Sequence, residues 1–129
     1  MIMVVDTSVI IRFLTGDDKD KAERFRKFIQ NKEQIIVTDV VFAEIFWILK
    51  SFYKLERNTV VSMLESLLNI PSVVCRRDVL LETLSVLKDC NLSFIDSYLC
   101  AFSLIESDGK ILSFDKGFNK LKSIKRIEP

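Results

Sequence analysis

The feature of this sequence that most constrains its fold is the alternation of short apolar, β-branched runs with longer amphipathic segments. We predict strands at residues 2–5, 35–37, 73–75 and 110–112, with a weaker one near 124–127. Short apolar runs of this kind are typical of strands buried on both faces of a parallel sheet, and helices usually connect such strands. The pattern predicts an α/β protein whose central, mainly parallel sheet of four to five strands is covered by helices on both faces, a three-layer α/β/α sandwich.

The helical segments are indicated by residue spacing and by capping residues. We predict helices over residues 9–14, 17–30, 40–53, 58–68, 78–88 and 94–107. Gly16 breaks the first of them, and Ser93 is placed to cap the last. No linker, repeat or low-complexity segment interrupts the pattern, so we expect residues 1–129 to form a single domain.

The composition excludes several kinds of chemistry. The chain has 19 basic and 18 acidic residues, so that nucleic-acid binding would need local patches of positive charge. It has no histidine, which removes the Ser-His and Cys-His nucleophile pairs and the imidazole ligands that zinc usually takes. Catalysis must therefore use carboxylates, hydroxyls, lysine, cysteine or a hard metal ion.

The cysteines and the apolar stretches favour a cytoplasmic protein with no membrane association. Cys75, Cys90 and Cys100 are odd in number and form no CxxC spacing, which fits a reducing compartment. The longest stretch without a charge, residues 66–75, has ten residues, whereas a helix that spans a bilayer needs about 20. The N-terminal segment lacks a basic region and reaches an acid at Asp6, so we do not expect a signal peptide.

Two carboxylates follow predicted strands directly. Asp6 comes at the end of the first strand, and Asp115 lies three residues after the fourth. Ligands of open α/β sheets bind outside the carboxyl ends of the strands, which makes both acids candidates for an active site. Local roles also remain open, since Asp6 could cap the next helix and Asp115 could form an Asx turn before Gly117.

Two further carboxylates stand alone in apolar helices. Glu44 is the only polar residue of segment 40–49, so we expect it to be largely buried. A buried carboxylate costs several kcal/mol unless it is paired or bound to a metal, although a narrow exposed strip or a distant arginine would also explain it. Asp96 is similarly isolated, but Ser93 and Asp96 also match the Ser-x-x-acid capping box.

The four acids together predict a metal site. If they lay close together without a cation, their charges would repel and their pKa values would rise sharply. A divalent ion resolves that conflict, and a ligand set made only of oxygens favours Mg²⁺ or Mn²⁺ over zinc.

These acids occur in segments that resemble the PIN domain family, and more closely its VapC-type ribonuclease toxins of toxin–antitoxin pairs. The matching segments are 3–8 (MVVDTS), 42–45 (FAEI), 96–101 (DSYLCA) and 113–115 (SFD) followed by Phe118. The resemblance implies a PIN-like α/β/α fold and Mg²⁺- or Mn²⁺-dependent cleavage of RNA. It assigns Asp6, Glu44, Asp96 and Asp115 as catalytic and metal-binding residues, with Ser8 and Ser113 orienting the acids or metal-bound waters. It also implies a homodimer and a cognate antitoxin that silences the enzyme.

Contacts to the RNA substrate need local positive charge. The candidates for phosphate binding are Arg12, one helical turn after Ser8, and Lys116 and Lys120, which follow Asp115. A solvated basic face is the alternative interpretation of the C-terminal lysines. We expect the aromatic residues of segment 42–53 to lie in the core or in a dimer interface rather than to stack on bases.

Other functions are compatible with parts of this pattern. A PIN-like nuclease could process RNA outside a toxin–antitoxin pair, and a non-catalytic PIN-like module could bind RNA or protein; the presence of all four acids argues against the non-catalytic module. A receiver-type signalling domain would carry paired acids directly after the first strand, where this chain has only Asp6. A haloacid-type phosphohydrolase would carry Asp-x-Asp, but residue 8 is serine.

Overall fold

Six α-helices and five short strands alternate along the chain in a computed structural model that describes all residues from Met1 to Pro129. The elements are β1 (Ile2–Val4), α1 (Thr7–Thr15), α2 (Lys19–Gln30), β2 (Gln34–Ile36), α3 (Asp39–Ser51), α4 (Arg57–Leu68), β3 (Val73–Val74), α5 (Arg77–Asp89), α6 (Phe94–Glu106), β4 (Lys110–Leu112), a 3₁₀ helix (Lys116–Lys120) and β5 (Lys125–Ile127). Contacts divide the chain into an N-terminal unit, Met1–Arg77, and a C-terminal unit, Asp78–Pro129.

The N-terminal unit is built on a parallel three-stranded sheet in the order β1-β2-β3. Met3 lies opposite Ile35 in the register of β1 and β2, and Ile35 lies opposite Val73 in that of β2 and β3. Helix α1 packs against α2 and α3, and α3 packs against α4. The fully buried apolar side chains come mainly from these helices: Ile10, Phe42, Ile45, Leu49, Val60, Val61, Leu64, Leu67 and Leu68.

The C-terminal unit contains a parallel pair of strands, β4 and β5, in which Lys110 lies opposite Lys125 and Leu112 opposite Ile127. Helix α6 packs against β4, and β5 packs against the 3₁₀ helix. A cluster of buried residues joins these elements: Val86, Leu92, Cys100, Ile111, Phe118 and Ile124.

The helix ends confirm the predicted capping residues. Gly16 adopts a left-handed conformation (φ 64°) after α1, and its N–H donates to the Arg12 carbonyl. Thr38 and Ser93 cap α3 and α6, because each hydroxyl accepts a hydrogen bond from the backbone N–H three residues later, at 3.2 and 3.1 Å. These contacts satisfy amides that would otherwise lack a partner in the first turn.

The α/β class, the number of strands and their parallel direction confirm the predicted fold. The hydrogen-bonded ladders form a three-stranded and a two-stranded sheet, a division that strands of two or three residues did not reveal in the sequence. No helix combines the length and the apolar composition that crossing a membrane requires.

One expectation about burial was wrong. The apolar run of the first strand predicted that β1 is buried, but Ile2 and Val4 are 51% and 68% exposed. The reason is that β1 is the edge strand of its sheet, so that a partner strand lies on one side of it only.

Candidate active site

Asp6 follows β1 at the carboxyl end of the sheet and occupies the N-cap position of α1. Its side chain makes no capping hydrogen bond; instead, its Oδ2 accepts a hydrogen bond from the Ser8 hydroxyl at 2.9 Å. The capping role that the sequence left open is therefore not used. The carboxylate is exposed and is oriented by the serine that the sequence analysis had placed beside it.

Glu44 lies on α3 and is exposed, so the prediction that it is buried was wrong. The exposed positions Val40, Glu44, Trp47 and Ser51 follow one another at intervals of three or four residues and form one strip along the helix. Val40 and Trp47 are 78% and 65% exposed although they are apolar. The composition of α3 concealed this strip because its exposed positions carry mostly apolar side chains.

Asp6 and Glu44 line the same cleft, which has a volume of about 510 Å³. Its other residues are Thr7, Ser8, Ile11, Arg12, Asp17, Ile48, Phe52 and Tyr53. The Thr7 hydroxyl oxygen is buried and has no hydrogen-bond partner, a condition that in a polar cleft fits a site for water or an ion. Two carboxylates and two hydroxyls are oxygen donors of the kind that Mg²⁺ and Mn²⁺ prefer, so the residues present fit such an ion.

A hydrogen-bonded network stands in the wall of this cleft. The Asp17 Oδ2 accepts hydrogen bonds from the Arg12 guanidinium at 2.7 Å and from the Tyr53 hydroxyl at 2.6 Å. The hydrogen bond from Tyr53 is the main cause that lowers the pKa of Asp17, and the same bond raises the pKa of Tyr53. Phe52 packs edge-on against the Tyr53 ring, with the ring centroids 5.2 Å apart.

A second cleft of about 680 Å³ shares Asp6, Ser8 and Arg12 with the first. Apolar side chains of β1 and α2 contribute to its lining, and two further cations, Lys21 and Arg24, line it as well. Arg12, the predicted phosphate-binding residue of the N-terminal unit, therefore faces both clefts.

In the C-terminal unit, Asp96 lies half-buried in the first turn of α6. Its backbone N–H donates to the Ser93 hydroxyl, but its carboxylate makes no hydrogen bond back to the Ser93 amide. Only half of the predicted capping box forms, and the carboxylate is not used by it. The next residue, Ser97, is fully buried with an unpartnered hydroxyl.

Cys100 lies one helical turn after Asp96 and is fully buried. Burial raises the pKa of its thiol to about 11, and the charge of Asp96 adds to the shift. The thiol is therefore protonated at neutral pH, which excludes Cys100 as a thiolate nucleophile under those conditions.

Asp115 is exposed and precedes the 3₁₀ helix. Its Oδ1 accepts a hydrogen bond from the Gly117 N–H at 2.8 Å, so the predicted Asx turn forms. The Ser113 hydroxyl accepts from the Asp115 backbone N–H at 2.9 Å and thus holds the main chain rather than the carboxylate. The second oxygen of Asp115 takes no part in the turn.

The two lysines after Asp115 differ in their contacts. Lys116 is exposed, and no hydrogen bond or ion pair holds its ammonium group. The Lys120 ammonium donates to the Asn91 carbonyl at 3.1 Å, so part of its hydrogen-bonding capacity is used within the chain. Lys116 is therefore the freer of the two for a phosphate.

The structure brings Asp6 and Glu44 together, while Asp96 and Asp115 belong to the other unit. Within neither unit do three acidic or cysteine side chains gather into a group that could hold a metal ion. The sequence analysis missed Asp17 and Tyr53 as parts of the cleft. They are 36 residues apart, and no local pattern connects them.

Two comparisons with known proteins bear on this site. No curated protein matches the chain. The family model of the PIN domain matches residues 3–124, which include all four predicted acids and agree with the predicted α/β/α fold. The chain therefore belongs to the PIN domain family, whose members are generally metal-dependent nucleases.

Proposed function

We propose that the protein is an endoribonuclease that hydrolyses RNA phosphodiester bonds with Mg²⁺ or Mn²⁺. The observation that carries this proposal is the cleft in which Asp6 and Glu44 face the same space from separate elements. Asp6 accepts a hydrogen bond from Ser8 only, and Glu44 takes part in no ion pair. Both carboxylates are thus available as ligands for a cation.

The chain's own residues divide the work of this reaction. Asp6 and Glu44 would hold the ion, and the Ser8 hydroxyl keeps the Asp6 carboxylate in one orientation. A bound divalent ion lowers the pKa of a coordinated water and neutralises charge on the phosphate. Arg12, in the wall of the same cleft, supplies N–H donors for a phosphate oxygen.

We extend the acid set to Asp96 and Asp115 because each lies in a segment that resembles the family's motifs. Two observations support the extension: the Asp96 carboxylate is not used in a capping box, and one oxygen of Asp115 takes no part in its turn. We assign Ser113 a supporting role through the Asp115 backbone, and Lys116 and Lys120 a role in phosphate contact.

In the cell, we propose that the enzyme is the cytoplasmic toxin of a toxin–antitoxin pair and works as a homodimer. This role is supported by the resemblance of its motifs to VapC-type toxins. Expression of the wild-type chain should arrest growth, and Asp96→Asn should relieve the arrest at equal protein level. Normal growth with the wild-type chain would favour an RNA-processing nuclease outside such a pair.

The cleavage reaction is tested with end-labelled RNAs, with and without Mg²⁺ or Mn²⁺. We expect the wild type to cut in a metal-dependent manner, EDTA to stop it, and Asp6→Asn and Glu44→Gln each to slow it by at least about 100-fold, as loss of a key charged contact does. Glu56→Gln is the matched control, because Glu56 is an exposed acid whose side chain makes no capping bond. Cutting that resists EDTA, or that Asp6→Asn leaves unchanged, would refute the metal-acid mechanism.

A further inference from the structure

We propose that Asp17 is a positioning residue, which holds the Arg12 guanidinium at the Asp6–Glu44 cleft as a contact for a phosphate of single-stranded RNA. This inference rests on the proposed function, since it names the substrate contact of the same cleft. It adds a residue that no motif in the sequence pointed to.

The first argument is the way in which Asp17 is anchored. Its backbone N–H lies 3.4 Å from the Thr15 hydroxyl, which itself donates to the Ile11 carbonyl at 2.8 Å. Its Oδ2 binds the Tyr53 hydroxyl at 2.6 Å, which connects the end of α1 to the segment after α3. A carboxylate held from two directions can fix the side chain that donates to it.

The second argument is the state of Arg12. The Arg12 Nη1 lies 2.7 Å from the Asp17 Oδ2, and its side chain remains 42% exposed. Its other N–H groups donate no hydrogen bond within the chain and lie in the residue that both clefts share. A guanidinium has five donors in a rigid fork that matches a phosphate, so one anchored edge leaves donors for an RNA oxygen. Anchoring also removes in advance part of the roughly 2 kcal/mol of rotamer entropy of the side chain.

A purely electrostatic role for Asp17 predicts the opposite result. If Asp17 only neutralised Arg12, removing its charge would leave a bare cation beside the cleft and would tighten the binding of an anion. If Asp17 positions Arg12, removing its charge frees the guanidinium and weakens binding. The sign of the change therefore separates the two roles.

The experiment measures the affinity of a labelled single-stranded oligoribonucleotide for full-length Asp6→Asn protein, which does not cut it. In this background we expect Asp17→Asn and Arg12→Ala each to weaken binding about tenfold, the value of one hydrogen bond to a charged group. The double variant should be no weaker than Arg12→Ala alone, because Asp17 acts through Arg12. The control, Glu56→Gln, should bind as the background does or slightly more tightly.

Equal or tighter binding by Asp17→Asn would overturn the proposal, as would losses that multiply in the double variant. If Asp17→Asn does not fold, Tyr53→Phe decides, because it removes one of the two side-chain anchors of Asp17. We expect it to weaken binding about threefold, and unchanged affinity would contradict the proposal. A wild type that binds RNA through Arg12 and Asp17 but cuts none would refute the proposed function and leave this inference standing.

Discussion

Single residues of this chain show how differently four carboxylates can be used. Asp6 accepts one hydrogen bond from Ser8 and is otherwise exposed, whereas Asp115 gives one oxygen to a turn. Glu44 had been expected to reveal a site by being buried, yet it is exposed and shares a cleft with Asp6. The arrangement of the acids, rather than the cost of burying them, supports their role.

The Ser8 hydroxyl gives the first prediction at this scale. Ser8→Ala removes the hydrogen bond to Asp6 and should weaken Mn²⁺ binding about tenfold, since partners that orient a metal ligand contribute 10- to 100-fold. Because Ser8 is exposed, the free energy of unfolding should change by less than about 0.5 kcal/mol. Isothermal titration with Mn²⁺ measures the affinity, and an unchanged value would show that Ser8 does not orient Asp6.

Tyr53 gives a second prediction, in its pH titration. Its pKa is raised above 10.0 mainly because its hydroxyl donates to the Asp17 carboxylate. A raised pKa means that the stability from this contact is present below pH 10 and is lost as the pH rises through the pKa of the folded state. For Asp17, whose pKa is lowered, the contribution is present above pH 3.8 and is lost as the pH falls.

Asp17→Asn should therefore bring the Tyr53 pKa back towards 10. Phenolate absorbance measures the titration, and Tyr53→Phe isolates the signal from that of Tyr98, the other tyrosine of the chain. An identical Tyr53 titration in wild type and Asp17→Asn would contradict the contact.

At the scale of elements, the helices and strands were largely predictable because their signals are local. The fourth strand, Lys110–Leu112, was predicted with its observed bounds, and the start of α6 followed from Ser93. Gly16 ended α1 because a left-handed residue there lacks the steric penalty of a side chain.

What could not be predicted depends on contacts between distant residues. The exposure of β1 follows from its edge position in the sheet, which no property of its own residues specifies. The exposed strip of α3 bears Val40 and Trp47, so periodicity alone gave no sign that Glu44 faces solvent. The contact of Tyr53 with Asp17 joins residues from two segments that have no common pattern.

The start of α6 gives a prediction that separates a structural role from a functional one. Ser93→Ala removes the capping hydrogen bond to the Asp96 N–H and should lower the free energy of unfolding by about 1 kcal/mol. Asp96→Asn keeps that bond and should cost less than about 0.5 kcal/mol while abolishing RNA cleavage. Urea denaturation compares the two variants. Equal destabilisation by both would show that Asp96 serves mainly as a cap.

For the whole molecule, the near-neutral charge means that RNA binding depends on local groups of cations. Arg12, Lys21 and Arg24 line one cleft of the N-terminal unit and form such a group. The steepness with which salt weakens RNA binding should therefore fall when one of them is removed, since each phosphate contact in a single strand contributes about 0.7 to the slope.

We also predict that residues 1–129 unfold as one cooperative domain. Differential scanning calorimetry should show one transition whose calorimetric enthalpy equals its van't Hoff enthalpy. The thiol of Cys100, which is fully buried, should become reactive only as that transition proceeds. Two separate transitions would show that the chain is divided into independently folding parts.

The central claim is that Asp6 and Glu44 form a metal site, and Mn²⁺ binding tests it most directly. Electron paramagnetic resonance can count free and bound Mn²⁺ for the wild type, Asp6→Asn, Glu44→Gln and the control Glu56→Gln. We expect the wild type and the control to bind equally, and each of the other variants to bind at least about tenfold more weakly, because each loses a charged ligand. Equal binding by all four proteins, or no binding by the wild type, would contradict the claim.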